Sequence, residues 1–474
     1  MVIIWSVSEQ QLRASPTFAT KRALAQAVGH LSRASGRGGG TTLPGRILLR
    51  TAPDAIERLG AKLAAGSTLI SATNGKTTTA GMLAAAMAAD GRRPVHNRAG
   101  SNMPWGVATA LLDRQGNEGL FEVDEAWLAQ VSAALEPRLV VLGNLFRDQL
   151  DRYGELDRLA DEWARVVEER APSRTGFVLN ADDPLVADLG RDAELRRRPG
   201  VTYFGIEDTE QGLAELQHAH DAKHCRRCGE PYRYERSFVG HLGHYDCPSC
   251  GAGRPRPDIA AHSIRLAGMS GSSFEVRTPA GNRRIELPLP GLYNVYNALA
   301  AIAAAQRLGV ELELIAEALA EVEAAFGRVE TIEVGGRPVS ILLIKNPAGA
   351  NEVLRTLRQE AELDGEPLEL WLALNDGIAD GRDVSWIWDA DFELLDGIAA
   401  RIMCAGSRAA EMALRLKYAG CPEAIIEVEP RVGPALDRAL ASGSGRLFAL
   451  PTYTALIELR TLLTRRGLAR EYWE

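Results

Sequence analysis

No stretch of this 474-residue chain reaches the roughly 18 uninterrupted apolar residues that a membrane-spanning helix needs. The opening segment MVIIWSVSEQQLRAS is apolar only over Val2–Trp5, too short for a signal-peptide core. The expectation is a cytoplasmic protein with no transmembrane segment. Cysteine is scarce, with six in all. Four sit in one tight cluster, while Cys404 and Cys421 stand apart, which argues against a disulfide scaffold and for a reducing compartment. Positive charge is not in excess either. The formal net charge of -8 gives no support to a nucleic-acid binder. Internal repeats and long low-complexity tracts are absent. What remains is an ordinary globular balance, 46% hydrophobic and 24% charged, long enough for roughly three domains of about 150 residues.

The pattern along the chain predicts a helix over 17–35, a flexible or phosphate-approaching turn at Gly36–Gly40, and a helix over Ile56–Leu63. Ser67–Ser71 then reads as a strand, followed by a tight turn and an alanine-rich helix over Thr77–Ala89. Leu139–Leu142 and Gly176–Leu179 are further buried-strand candidates, with a helix at about 156–169 between them. Short apolar runs alternating with helices imply a parallel α/β sheet. Near residue 221 the character changes to a Cys-, His-, Gly- and Tyr-rich segment. Ser263–Leu266, Ser273–Val276 and Arg284–Leu287 follow as antiparallel strands, then a helix over Asn294–Leu308. A second α/β pattern, with strands at Ile341–Ile344, Leu368–Leu374, Arg401–Cys404, Ala424–Val428 and Leu447–Pro451, puts a boundary near residue 330.

The segment Ala72-Thr73-Asn74-Gly75-Lys76-Thr77-Thr78-Thr79 carries the first chemistry. Backbone N–H groups and the dipole at a helix start attract phosphate. Gly75 permits close backbone approach, Lys76 neutralises outer phosphates, and the Thr77 hydroxyl suits Mg²⁺. The strict G-x-x-x-x-G-K-[ST] pattern fails at Ile70, where its first glycine would stand. Downstream, Phe121-Glu122-Val123-Asp124-Glu125 offers hard oxygens for Mg²⁺ at a strand end. The string NLFRDQLDRYGE follows the Leu139–Leu142 run, where open α/β sheets place ligands. Asn180-Ala181-Asp182-Asp183-Pro184 also follows a strand, and an Asx turn ahead of a helix explains it equally well.

Cys225-x₂-Cys228 and Cys247-x₂-Cys250, with 18 residues between the pairs, can supply four thiolates to one tetrahedral zinc. Redox chemistry is the alternative for such pairs. His224, His241 and His244 lie nearby, but four cysteines already complete the shell. Arg226, Arg227, Arg233 and Arg236 give local positive charge that a nucleic-acid-binding ribbon would use. A structural or docking role is preferred, because ATP-site motifs flank the insertion on both sides. Further on, Asn375-Asp376-Gly377-Ile378-Ala379-Asp380-Gly381-Arg382-Asp383 follows a strand. Carboxylates so close together repel one another unless they meet a cation or a partner. An Asx-rich turn with Arg382 pairing one of them is the plainer reading. Trp386 and Trp388 can anchor this loop or an interface, and Lys345-Asn346-Pro347 is a simple proline turn on its residues alone.

Taken in order, TNGKTTT, FEVDEAW, NLFRDQLDRYGE, LNADDP, PGLYNVYNALAA and FGRVE resemble the Mur ligases, over roughly residues 17–470. The likeness is closest to the MurT-type members, ligase-like subunits that work with a GatD-type glutaminase. The resemblance implies an α/β fold in three parts. These are a short N-terminal helical segment (1–50), a central Mur-ligase P-loop ATPase domain (51–332) with a Cys₄ zinc ribbon inserted at about 221–254, and a C-terminal Rossmann-like α/β domain (333–474). It implies that Thr73, Asn74, Gly75, Lys76, Thr77 and Thr78 serve ATP, that Thr77 and Glu122 hold Mg²⁺, and that Asn180 and Asp183 lie along the nucleotide. Asn294 and Asn297 would lie near adenine. Arg328 would reach the phosphates from the linker, and Lys345–Pro347 resembles the turn that opens the C-terminal domain. In the MurT-type members the acidic loop is held to lend an Asp to the glutaminase's Cys-His pair. Among Asp376, Asp380 and Asp383 the choice stays open, with a lean to Asp383. Gln149 stands where many Mur ligases have a metal-binding His, so a second metal is in doubt. The roughly 50 residues before the loop leave no room for a UDP-sugar-binding domain. That points to a lipid-linked precursor at the inner membrane face. The resulting expectation is a glutamine-dependent carbon–nitrogen ligase of peptidoglycan synthesis, converting the D-glutamate carboxylate of lipid II to D-isoglutamine through an acyl phosphate. The rivals are a stand-alone amino-acid ligase of the Mur or folylpolyglutamate kind, and a non-catalytic zinc-ribbon scaffold.

Overall fold

The computed structural model describes residues 16–34, 42–97, 100–113, 115–148, 156–170, 174–191, 200–213, 215–218, 220–323, 328–443 and 445–469. The expected Gly36–Gly40 turn, Gln149 and the side chain of Arg328 lie outside this description. Among the described residues no helix is long and apolar enough to cross a membrane.

In the first half, the strands are β1 (Ser67–Ser71), β2 (Val95–His96), β3 (Gly119–Glu122), β4 (Leu139–Leu142), β5 (Gly176–Asn180) and β6 (Val201–Ile206). After these come β7 (Arg233–Val239), β8 (Leu242–Asp246), β9 (Ile259–Leu266), β10 (Ser272–Thr278) and β11 (Gly281–Leu287). Nine of these form one sheet in the order β11-β10-β9-β6-β5-β4-β1-β3-β2. Strand β1 is central, buried along its whole length, and pairs in parallel with both β3 and β4. A strand covered on both faces has no solvent side, and here small hydroxyl residues, Ser67, Thr68 and Ser71, are buried beside Leu69 and Ile70. Leu69 packs into one core while Ile70 packs into the other, as period-two alternation dictates. The three strands expected to be antiparallel are present. Strand β9, though, also pairs in parallel with β6, so the meander extends the parallel sheet instead of standing apart.

The second half holds β12 (Arg328–Val334), β13 (Arg337–Leu342), β14 (Leu368–Ala373), β15 (Ala399–Ala405), β16 (Ile426–Val428) and β17 (Leu447–Pro451). They form a six-stranded sheet in the order β12-β13-β17-β14-β15-β16, with separate apolar cores on its two faces. Strands β7 and β8 form a hairpin belonging to neither sheet. It lies across the carboxyl ends of β5 and β6. The N–H of Gly243 donates to Asp182 O at 2.9 Å, and a ring nitrogen of His244 lies 2.8 Å from Ile206 O.

Candidate functional site: a nucleotide cleft and a four-thiol knot

Strand β1 ends at Ser71, the chain turns through 72–75, and a helix runs over Lys76–Ala89. Gly75 makes the turn possible. Its φ is +91°, in the left-handed region that side chains resist, and a Cβ there would collide with the side-chain oxygen of Asn297. The loop is gripped by the segment after β4. Thr73 N donates to Asn144 O at 2.9 Å, Asn74 N to the Asn144 side-chain oxygen at 2.9 Å, and Phe146 N to the Thr73 hydroxyl at 3.0 Å. Gly75→Ala is therefore expected to cost about 1–3 kcal/mol in local strain. It should lower both the melting temperature and ADP affinity, read by thermal unfolding and ADP titration. A variant as stable and as tight-binding as the parent would refute this.

Lys76 is buried and folded back on its own loop. Its ammonium donates to Ala72 O, to Thr73 O at 3.4 Å and to Glu125 Oε2 at 2.7 Å. Burial pulls its pKa down, but Glu125 and Asp124 more than offset this and hold it above the ordinary lysine range. Glu125 lies in the FEVDEAW string, where reading by residue type singled out Glu122. The signal was present as a second carboxylate one 3₁₀ turn along, after Asp124 caps that turn. Glu122 itself ends β3 opposite Ile70, fully buried, its N–H donating to the Asn97 side-chain oxygen. Thr77, in the first turn of the Lys76–Ala89 helix, is half-buried. Oxygen donors at the ends of two adjacent strands are the donor set Mg²⁺ prefers.

Asn180 and Asp183 are turned inward. Asn180 closes an Asx turn onto Asp182 N at 3.0 Å. Asp183 accepts from Leu185 N and Val186 N, capping a short helix, and its other oxygen accepts from Leu145 N at 2.9 Å. Neither lines the cleft. The contact from this string to the cleft is indirect, through Asp182, which accepts from the Tyr296 hydroxyl at 2.7 Å.

The cleft opens between the turn at 72–75, the start of the Leu292–Arg307 helix, and the end of β13 with the start of the Pro347–Asp364 helix. Gly75, Thr78, Asn294 and Asn297 line it, as do Tyr293, Tyr296 and Lys345. Asn297 donates to Asn294 at 3.0 Å, and Asn294 to Pro290 O at 2.8 Å, so both amides are held by the helix that carries them. Across the cleft, Asn346 and Asn74 exchange two side-chain hydrogen bonds, at 3.0 and 3.2 Å. Lys345 pairs with Asp148 at 2.7 Å. Asn346 also caps the Pro347–Asp364 helix through Gly349 N. Glu352, on that helix, is buried in the same wall. Burial pushes its pKa up against the opposing pull of Arg355 at 2.8 Å. Arg147, which residue-type reasoning passed over, pairs with Asp221 at the base of the hairpin and with Asp389 of the second half at 3.1 Å.

The four cysteines form one cluster, all four sulfurs within 4.8 Å of one another. The Cys225–Cys250 and Cys228–Cys247 separations are 3.6 and 3.4 Å. Four thiolates about 2.3 Å from a tetrahedral zinc would stand about 3.8 Å apart, so the knot fits zinc and is far from disulfide bonding. The two knuckles copy one another. Gly229 N donates to Cys225 O and Gly251 N to Cys247 O, each glycine with φ above +70°. Burial pushes the Cys225 thiol up, but the N–H groups of Arg227 and Cys228 and the Tyr232 hydroxyl bring it below the usual range, while burial and the neighbouring sulfurs push Cys250 above it, so the four thiols titrate as one group. His224, His241 and His244 stand outside the cluster. The local positive charge is answered internally: Arg226 pairs with Asp161, Arg227 with Asp188 and Arg233 with Asp246.

At the carboxyl end of β14 the three aspartates diverge. Asp380 is buried, accepting from Thr454 N at 2.8 Å, from the Thr454 hydroxyl and from Gly377 N. Asp376 accepts from the Ser407 hydroxyl at 2.8 Å and is half-exposed. Asp383 is exposed, and the N–H of Ser385 at 2.8 Å holds its carboxyl below the usual range. Trp388 lies 48% exposed against Tyr418, with the Arg415 guanidinium over its face. Cys404 and Cys421 are buried, their thiols pushed up to about 12 and about 11 by burial, the opposite of nucleophile activation.

Comparison with known proteins places this geometry in context. Residues 70–243 match the Mur ligase middle domain and residues 343–456 the MurT ligase C-terminal domain. The chain is 32% identical over 445 residues to the lipid II isoglutaminyl synthase (glutamine-hydrolyzing) subunit MurT of Streptococcus pneumoniae, covering 92% of this chain and 94% of that one. It is 32% identical over 450 residues to the corresponding subunit of Staphylococcus aureus (strain N315), covering 93% and 97%. Among solved structures, a pseudomurein peptide ligase type C from Methanothermus fervidus superposes with a TM-score of 0.66 at 23% identity, covering 86% of this chain and 80% of that one, which speaks for the fold.

Proposed function

The chain belongs to the MurT family of Mur ligases, and on that premise we propose that it is the ATP-using subunit of a glutamine-dependent lipid II amidating enzyme. The observation that carries the reading is the cleft, where the Gly75 turn, two helix-borne amides and the segment from β13 into the Pro347–Asp364 helix converge. An oxygen of the D-glutamate α-carboxylate in the stem peptide attacks the γ-phosphorus of ATP, the bond to ADP breaks, and an acyl phosphate forms. Ammonia, released from glutamine by a GatD-type partner, adds to the acyl carbon. Phosphate leaves with the carbon–oxygen electron pair, a proton passes to water, and D-isoglutamine results.

Charge spreads over the phosphoryl oxygens in the transfer, and preorganised cations stabilise it. Lys76 exchanges a backbone carbonyl for a phosphate oxygen while Glu125 keeps it oriented. The backbone of 73–78 receives the remaining oxygens, and Arg328 adds charge from the linker. Thr77 and Glu122 would hold Mg²⁺, which would supply positive charge against the phosphates. Asn294 and Asn297 face the base. Asp383 projects toward the partner's active-site His and fixes its tautomer. Zinc in the four-thiol knot is structural.

The test is co-purification with a glutaminase and incubation with lipid II, ATP and glutamine, followed by mass analysis of the stem peptide. Conversion of glutamate to isoglutamine is expected only with all components, with ammonium chloride replacing partner and glutamine together. Incorporation of a whole amino acid without the partner would support a stand-alone ligase instead. ATP binding without turnover under any condition would leave only the scaffold.

A further inference from the structure

The hairpin that carries the metal knot at one end reaches the nucleotide cleft at the other. Its tip, Val239-Gly240-His241-Leu242, is built into the ATP-binding half, and both Val239 and Leu242 line the cleft beside Leu289 and Tyr293. These side chains are almost wholly buried and share one apolar core with the Leu292–Arg307 helix. His241, fully buried, stacks against Phe146 at 4.7 Å and lies 3.3 Å from Asp183. Arg355, from the second half, donates to Phe238 O at 2.6 Å. Strand β8 runs from Leu242 to Asp246 and delivers Cys247 directly after it. A strand of that length spans about 17 Å, so the two strands connect sulfurs to cleft directly.

We propose that Val239 and Leu242 form the apolar, base-side wall of the nucleotide cleft, and that metal in the four-thiol knot holds that wall in place. The tip shares the cleft with the Gly75 turn and with the Asn294 and Asn297 amides, and it is the apolar part of that lining. A purine ring needs an apolar surface on its faces and amides at its edge, and this corner supplies both. The hairpin belongs to neither sheet, so the strands between knot and tip are held at their two ends, by the buried tip and by whatever closes the knot. The inference rests on the reading of the cleft as an ATP site.

The experiment uses the full chain with its partner and two probes, ADP and inorganic tripolyphosphate, titrated calorimetrically. Leu242→Ala and Val239→Ala are expected to weaken ADP roughly ten-fold each, the loss that two or three exposed methyl groups imply, with tripolyphosphate unchanged. Chelation that releases zinc, followed colorimetrically, is expected to weaken ADP at least as much. Unchanged ADP affinity in both alanine variants overturns the wall. Equal loss of both probes also overturns it, because the tip then supports the whole site and not the base. Unchanged ADP affinity after complete zinc release overturns the link to the metal. A parent protein that binds neither probe refutes the ATP-site reading itself, a result distinct from the others.

Discussion

Lys76→Met is expected to lower ATP-driven amidation of lipid II by about two to three orders of magnitude, with ammonia as well as with glutamine. The reason is positional. Lys76 is the cation of the loop, delivered by the first turn of the helix that follows β1, and its ammonium is already oriented by Glu125 and two loop carbonyls. Methionine keeps the length and the packing but removes the charge from the developing phosphoryl oxygens. A second cost falls on the fold. Both partners of the Lys76–Glu125 pair are almost fully buried, and removing one leaves the other uncompensated, at about 3–5 kcal/mol. The double variant Lys76→Met/Glu125→Gln separates the two effects. It should recover most of the lost melting temperature and none of the turnover. Recovery of turnover with stability would show that Lys76 serves the fold alone.

Exchange of Asp383 for Asn is expected to reduce glutamine-driven amidation by about three to four orders of magnitude, as loss of the orienting carboxylate does in Ser-His-Asp chemistry. Ammonia-driven amidation should stay within about two-fold, since the synthetase cleft is untouched. Asp383 is favoured on accessibility. Asp380 is committed to Thr454 and Gly377, and Asp376 to Ser407, whereas Asp383 keeps an exposed carboxylate on a loop flanked by the exposed Trp388. The Ser385 N–H also orients the Asp383 carboxylate and holds its pKa below the usual range. Equal loss with both nitrogen sources would refute this role, and the same split observed in Asp376→Asn would move it to that residue. Asp380→Asn should instead lower the melting temperature, because it weakens the tie to Thr454.

Much of this architecture is legible in the residues. Leu139–Leu142 and Leu447–Pro451 are continuous apolar runs, Ser67–Ser71 is a short β-like run of Leu and Ile among hydroxyl residues, and each is found as a strand with those bounds. Strands β6 and β12 escaped notice because Val201–Ile206 and Arg328–Val334 interleave glycine, threonine or charge with their apolar residues. Sheet pairing, not local pattern, makes them strands. The four-thiol knot was readable because ligand spacing is a local property. The opposite holds for Arg147, Glu125 and Lys345–Asn346, whose partners lie tens to hundreds of residues away. Asn180 and Asp183 show how a polar string at a strand end serves the backbone as well, with Asn180 closing an Asx turn and Asp183 capping a short helix.

Strands β6 and β9 are immediate neighbours, parallel and in register from Phe204 opposite Ile259. Two parallel neighbours demand a long return path, ordinarily a helical crossover. Residues 207–258 are that path, and the chain has filled it with a hairpin and a knot of sulfurs. In topological terms the module is a detour whose entry and exit already lie side by side. Its length and chemistry can therefore change without reordering a single strand of the sheet. Outside the buried tip, a connecting segment of this kind can be lengthened or recast while the inherited scaffold stays as it was.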